Sequence, residues 1–176
     1  YTISDGNGGA VSNSVSLNVV AVNDAPVATF SATQTTTEGN NSISGNLTST
    51  DIDTDDTATY SYKSATVRLG TYVPRDVDSG VPGLIIEPDG SWSFDPRDSS
   101  FETLAAGEVL QYTVKYEVVD AGGLTSENSF VINLTGTNDA PTAIFTTAQS
   151  ATEKGAVVTG QLTSSDPDNN STVSYQ

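Results

Sequence analysis

Tyr112-Thr113-Val114-Lys115-Tyr116-Glu117-Val118, followed by the turn Asp120-Ala121-Gly122-Gly123 and by Phe130-Val131-Ile132-Asn133-Leu134, decides the fold of this chain. Tyr112, Val114, Tyr116 and Val118 occupy every second position, and so do Phe130, Ile132 and Leu134. A period of two places one set of side chains on a buried face and the other in water, the pattern of a half-buried strand. Val15, Leu17 and Val19 repeat the pattern nearer the N-terminus. Leu84-Ile85-Ile86-Glu87 and Ser91-Trp92-Ser93-Phe94 flank Pro88-Asp89-Gly90. Proline presets φ and glycine accepts positive φ, so those three residues predict a hairpin turn. No long stretch has helical periodicity; at most residues 101–106 form a short helical turn. The abundant Thr, Ser and Val suit exposed strand faces. Seven or so short strands separated by turn signals predict an all-β, antiparallel, immunoglobulin-like sandwich, without the Cys-Trp-Cys hallmark of true immunoglobulin domains.

Composition narrows the function. The chain has 176 residues, with 22 acidic against 6 basic side chains and a net charge of −16. Phosphate binding needs clusters of Lys and Arg, so no nucleic-acid partner is expected, and an anionic membrane surface is disfavoured for the same reason. The apolar runs are too short to span a bilayer, so no membrane insertion is expected. There is no Cys and no His, which removes disulfides, thiolate chemistry, the usual general base and the commonest zinc ligand. The carboxylates sit in turns and linkers rather than around one cleft, and no enzyme activity is expected.

The chain repeats itself. Asn23-Asp24-Ala25-Pro26 recurs as Asn138-Asp139-Ala140-Pro141, a shift of 115 positions. The same shift pairs Phe30 with Phe145, Glu38 with Glu153, Gly45 with Gly160, Leu47 with Leu162 and Tyr60 with Tyr175. It also pairs Asp51-Ile52-Asp53 with Asp166-Pro167-Asp168, and Tyr1, Asp5 and Leu17 with Tyr116, Asp120 and Ile132. Such self-similarity is the signature of a repeat array. The expected organisation is the last strands of one repeat over 1–24, a complete sandwich over 25–139, and the first strands of another over 140–176. Incomplete repeats leave open strand edges, so both ends are expected either to be disordered or to be completed by pairing with neighbouring repeats or, head to tail, with other copies of the chain.

The order of several short motifs resembles a known family. Gly45-Asn46-Leu47-Thr48-Ser49-Thr50-Asp51-Ile52-Asp53, the 83–94 hairpin, Leu104-Ala105-Ala106-Gly107-Glu108, Val119-Asp120-Ala121-Gly122-Gly123 and Thr137-Asn138-Asp139-Ala140-Pro141 together resemble the VCBS repeat. The unit is also similar to a cadherin repeat. A Glu follows the first strand, an Asp-x-Asp the second, an Asp-Gly-type turn precedes the last, and an Asn-Asp-x-Pro linker closes the unit. The resemblance implies a tandem repeat of a large secreted bacterial adhesin at the cell surface.

Connections in a seven-strand sandwich alternate between its two ends. Asp51, Asp53 and Asp120 are therefore expected beside the incoming linker Asn23-Asp24. Glu38 is expected at the opposite end, with Asn138-Asp139, Asp166 and Asp168. Hard oxygen donors gathered this way suit Ca²⁺, which takes about 6–8 oxygens; Mg²⁺ prefers to keep its waters. Ala21 and Ala25 stand where a fuller cadherin-type linker would carry further ligands, which points to one or two ions at each junction. Asp55 and Asp56 read as solvated turn residues.

These readings predict a calcium-stiffened extender repeat. Two alternatives stand beside it: a glycan- or protein-binding adhesin module, and an accessory module of a secreted hydrolase. Trp92 reads as a packing residue rather than a sugar platform, and Asp5-Gly6-Asn7-Gly8-Gly9 as a hairpin turn.

Overall fold

The computed structural model describes residues 1–54 and 56–176. Among them the chain is all-β, a sandwich of a five-stranded and a three-stranded sheet. Three elements precede the first sheet partner of the core: β1 (Thr2–Ser4), β2 (Ala10–Ser12) and β3 (Val27–Ala28). Then come β4 (Thr33–Thr37), β5 (Ile43–Asn46), β6 (Ser49–Thr50), β7 (Thr59–Leu69) and β8 (Arg75–Asp76). The hairpin of β9 (Leu84–Ile86) and β10 (Ser91–Phe94) is followed by the long pair β11 (Val109–Val119) and β12 (Thr125–Thr135). Two short strands, β13 (Thr142–Ala143) and β14 (Ser164–Ser165), close the order.

The five-stranded sheet runs β4-β12-β11-β7-β8 and the three-stranded sheet β5-β10-β9. Tyr112, Val114, Tyr116 and Val118 of β11, with Phe130, Ile132 and Leu134 of β12, are all buried, so the period-two reading lands on the core face. From the opposing sheet Trp92 and Phe94 enter the same core. Phe30 and Phe130 meet edge-on at 5.5 Å between ring centres, and Trp92 lies 5.3 Å from Phe130. Burying each large apolar side chain of this kind contributes roughly 1.5–3 kcal/mol. Trp92 is thus a packing residue.

The predicted turn forms. Gly90 takes φ +88°, its N–H donates to the Glu87 carbonyl at 2.9 Å, and the Asp89 carboxylate caps the Ser91 N–H at 2.9 Å. The Asp5 carboxylate likewise accepts from the N–H groups of Asn7 and Gly9, turning β1 into β2.

Two expectations need correcting. The sandwich is not purely antiparallel, because β4 joins β12 in parallel. The chain pairs first with β6 through β3 and only then crosses to the other sheet, which sets β4 alongside β12 in the same direction. Residues 101–106 keep to the short turn expected there, held by i→i+3 bonds such as Leu104 N–H to the Phe101 carbonyl at 2.8 Å. Val15, Leu17 and Val19 are exposed and lie in no ladder. Alternation describes which side chains could be buried; burial also needs a partner strand and an opposing sheet, and no sheet covers this stretch. Asp55 lies outside the described residues.

Gly45 is needed for packing rather than for backbone freedom. A Cβ there would stand 2.9 Å from Trp92 Cζ2, so the indole lies directly on the bare backbone of β5. Gly45→Ala should push the ring out of place and destabilise the sandwich by about 1–3 kcal/mol. Urea unfolding followed by the fluorescence of Trp92 checks this, because it is the single Trp; an unchanged midpoint and emission maximum would contradict the packing.

Candidate cation sites at the two ends of the sandwich

The β11–β12 hairpin carries chemistry at both ends. Its turn presents Asp120, and the far end of β12 runs into Thr137-Asn138-Asp139. At the first end the Asp120 carboxylate accepts the Asn23 side-chain amide at 2.9 Å, and its other oxygen accepts the Leu124 N–H at 2.8 Å. The Asp24 N–H donates to Asp53 Oδ2 at 2.7 Å, and the Asp53 N–H donates to Asp51 Oδ1 at 2.9 Å. The incoming linker is thereby tied to the Asp51–Asp53 loop and to the Asp120 turn.

Asp51, Asp56 and Asp120 each place a carboxylate oxygen within 4.8 Å of the others. Asp56 is half-buried rather than a solvated turn residue, and it accepts the Ala121 N–H at 3.0 Å. Sequence reasoning passed over it because the repeat carries Ser171 at the matching position. Gly122 completes this end, since a Cβ there would lie 2.5 Å from the Asn23 amide. Burial pushes the Asp120 carboxyl up, but the Asn23 amide and the N–H groups of Leu124, Gly123 and Gly122 outweigh it and hold Asp120 below the usual range. Its contribution to stability is therefore present above the ordinary carboxylate range and lost as pH falls through the lowered value.

The second end repeats part of this geometry. The Asp139 N–H donates to Asp168 Oδ2 at 2.9 Å, and the Asp168 N–H to Asp166 Oδ1 at 3.0 Å. The β3–β6 pair has its counterpart in β13–β14, and the Ser49–Tyr60 hydroxyl pair in Ser164–Tyr175. Asn138 turns its amide onto the Asp139 carbonyl at 2.9 Å. Glu38 arrives from the end of β4, and its Oε2 accepts the Thr137 N–H at 3.0 Å.

The remaining oxygens at this end are unusual. Glu38 and Asp168 are 8% and 9% exposed, yet Glu38 Oε1 and Asp168 Oδ1 have no hydrogen-bond partner, and neither has the buried Asp139 Oδ2. A buried polar group without a partner costs about 1–3 kcal/mol, and more when charged. Burial pushes the Glu38 carboxyl up; the Thr137 N–H opposes this, and the charges of Asp139, Asp168 and Glu102 add to it. Glu102, on the turn before β11, is a neighbour that sequence reasoning did not gather here. Each partnerless oxygen is a hard, anionic donor of the kind a divalent cation takes, but among the described residues the carboxylates that converge within 4.8 Å are Asp51, Asp56 and Asp120 at the first end.

The profile of a family described as "Bacterial Ig domain" matches residues 23–133. No curated protein matches the chain. Among solved structures, a nucleoside hydrolase-related hypothetical protein from Saccharophagus degradans, associated with carbohydrate metabolism, is 17% identical over 65% of this chain and 26% of its own, with a TM-score of 0.40. The extracellular domain of Protocadherin GammaB4 is 19% identical over 92% of this chain and 27% of its own, with a TM-score of 0.47. The chain spans about a quarter of the length of either structure.

Because folding raises the Glu38 pKa, the stability linked to its proton is full below the unfolded value and is lost as pH rises through the folded one. At neutral pH in chelator Glu38→Gln should therefore raise stability, by roughly 1 kcal/mol, by replacing a buried charge with a neutral acceptor and donor. Thermal melting in a chelating buffer measures it, and a lowered melting temperature there would show the carboxylate to be satisfied.

Proposed function

The chain belongs to the bacterial Ig domain family, and from that premise we propose that it is an extender segment of a secreted bacterial surface protein, stiffened by Ca²⁺ where consecutive repeats meet. The observation that carries the reading is the convergence of Asp51, Asp56 and Asp120, whose carboxylate oxygens lie within 4.8 Å of one another beside the incoming linker; the partnerless Glu38 Oε1, Asp139 Oδ2 and Asp168 Oδ1 support it at the outgoing end. In this reading the repeats are of VCBS type, with 1–24 and 140–176 belonging to the units before and after the 25–139 sandwich. The partners are those neighbouring repeats, or other copies met head to tail. The role is mechanical rather than catalytic.

Glu38, Asp139 and Asp168 would hold the ion at the outgoing junction, with Asp166 and Asn138 behind them. Asp51, Asp56 and Asp120 would hold one at the incoming junction, where Asn23, Asp24 and Asp53 fix the linker. Without a cation the gathered carboxylates repel one another. A cation reverses the sign of that interaction and ties two units and a linker to one centre. Ions that bind only the ordered junction stabilise it by mass action. Extracellular calcium modules bind in roughly the 10⁻⁴–10⁻³ M range. Calcium at about ten times the dissociation constant then contributes ~1.4 kcal/mol per site.

Thermal melting and small-angle scattering of the chain, in about 10 mM Ca²⁺ and in chelator, test this. Calcium should raise the melting temperature by roughly 3–6 °C per site and lengthen the maximum dimension. Asp51→Asn with Asp120→Asn should remove the incoming junction's share and leave the rest. Identical melting and dimensions in both buffers would remove calcium from the reading, while the sandwich itself would stand.

A further inference from the structure

The two sheets of the sandwich are unequal, and part of the larger sheet's core face is only partly covered. Three strands face five, and the smaller sheet reaches β7 through β9. Register places Tyr112 beside Val67 and Leu110 beside Leu69, all on the inward face of the sheet. Tyr112 is buried, but Val67, Leu69 and Leu110 are only partly so. Over them the loop after β7 brings Tyr72 and Val73, which remain 74% and 82% exposed. These residues, with Arg68 and Arg75, line a trough of about 710 Å³.

The charge at this trough runs against that of the whole chain. Acidic residues outnumber basic ones 22 to 6, yet no carboxylate is among its lining residues. Lys63 and Lys115 are paired with Glu117 and Glu127, and Arg97 with Asp95. Arg68 and Arg75 have no ion pair and no side-chain hydrogen bond among the described residues. Arg75 pairs with Val67 in the β7–β8 ladder, so its side chain stands on the trough's own face.

We propose that this trough binds an aliphatic carboxylate, its hydrocarbon against Val67, Leu69, Leu110 and Tyr112 and its carboxylate on Arg75, with Arg68 adding to the local positive charge. The volume lies within the range of small-molecule sites, about 300–1,000 Å³, which are mostly apolar with a few placed polar groups. Guanidinium binds carboxylate through paired N–H donors in a fixed fork. The lining offers no Asp, Glu, Asn or Gln side chain as an acceptor for sugar hydroxyls, which disfavours a glycan. The site lies apart from the carboxylates at the two junctions and does not depend on their binding a cation.

Dodecanoate, below its micelle concentration and in chelator, is the probe, and titration is followed by methyl and arginine side-chain NMR. Dodecyltrimethylammonium, with the same chain and the opposite charge, is the control, and an acidic peptide is the third arm. Dodecanoate should shift the methyls of Val67, Leu69 and Leu110 and the Arg75 Nε signal saturably, with one site per chain. Arg75→Gln should weaken it about tenfold or more, the loss of a charge-assisted contact. Arg75 is exposed, so the variant should melt with the parent. Tyr72→Ala should weaken both dodecyl probes alike by removing part of the cover. Equal affinity for the two dodecyl probes would overturn the proposal, as would shifts scattered beyond the trough, full binding by Arg75→Gln, or stronger binding of the peptide.

Discussion

The ladder between β11 and β12 is the constraint on which the other parts depend. It is unbroken from Val109 opposite Thr135 to Val119 opposite Thr125, and one face of it supplies most of the fully buried side chains. Because strands advance about 3.3 Å per residue, eleven residues carry the chain roughly 35 Å. That length separates Asp120 at one end from Thr137, Asn138 and Asp139 at the other. The core therefore sets the spacing of the two carboxylate groups, and a change in its register would move both.

Charge is distributed unequally along this frame. On the outer face of the large sheet Lys63 and Lys115 are matched by Glu117 and Glu127; such exposed pairs contribute little to stability. At the incoming end Asp51, Asp53, Asp56 and Asp120 each accept backbone N–H or amide donors, so their negative charge is partly met by the protein itself. At the outgoing end Glu38, Asp139 and Asp168 keep one oxygen each without a partner inside the protein. The repeat thus copies the loop geometry at both ends while the completeness of the donor set differs. Unpaired oxygens mark the outgoing end, whereas the incoming end gathers Asp51, Asp56 and Asp120 within 4.8 Å with part of their charge already met by hydrogen bonds.

Several features were legible in the residues. Alternation in β11 and β12 identified the core face, and Pro88-Asp89-Gly90 identified its hairpin, because both depend on local backbone geometry. The copied Asn-Asp and Asp-x-Asp pairs identified the segments that meet around the linkers. Asp56 was missed because it is not copied, and Glu102 because it precedes β11 in a turn without a distinguishing pattern. Val15, Leu17 and Val19 share the alternation of β12 but not its burial, since the same pattern is written whether or not a sheet covers it.

By itself the sequence determined the β class, the position of the turns, the 115-residue self-similarity and the excess of negative charge. These are properties of neighbouring residues or of composition, and no long-range contact is needed to state them. Only the tertiary structure decided that β4 runs parallel to β12, that Asp56 joins Asp51 and Asp120, and that three carboxylate oxygens at the outgoing end lose water without gaining a partner. It also decided that three strands face five and that Arg75 stands beside a partly covered apolar face. Each depends on which segments, distant along the chain, come to share one place, and on how much water that meeting excludes.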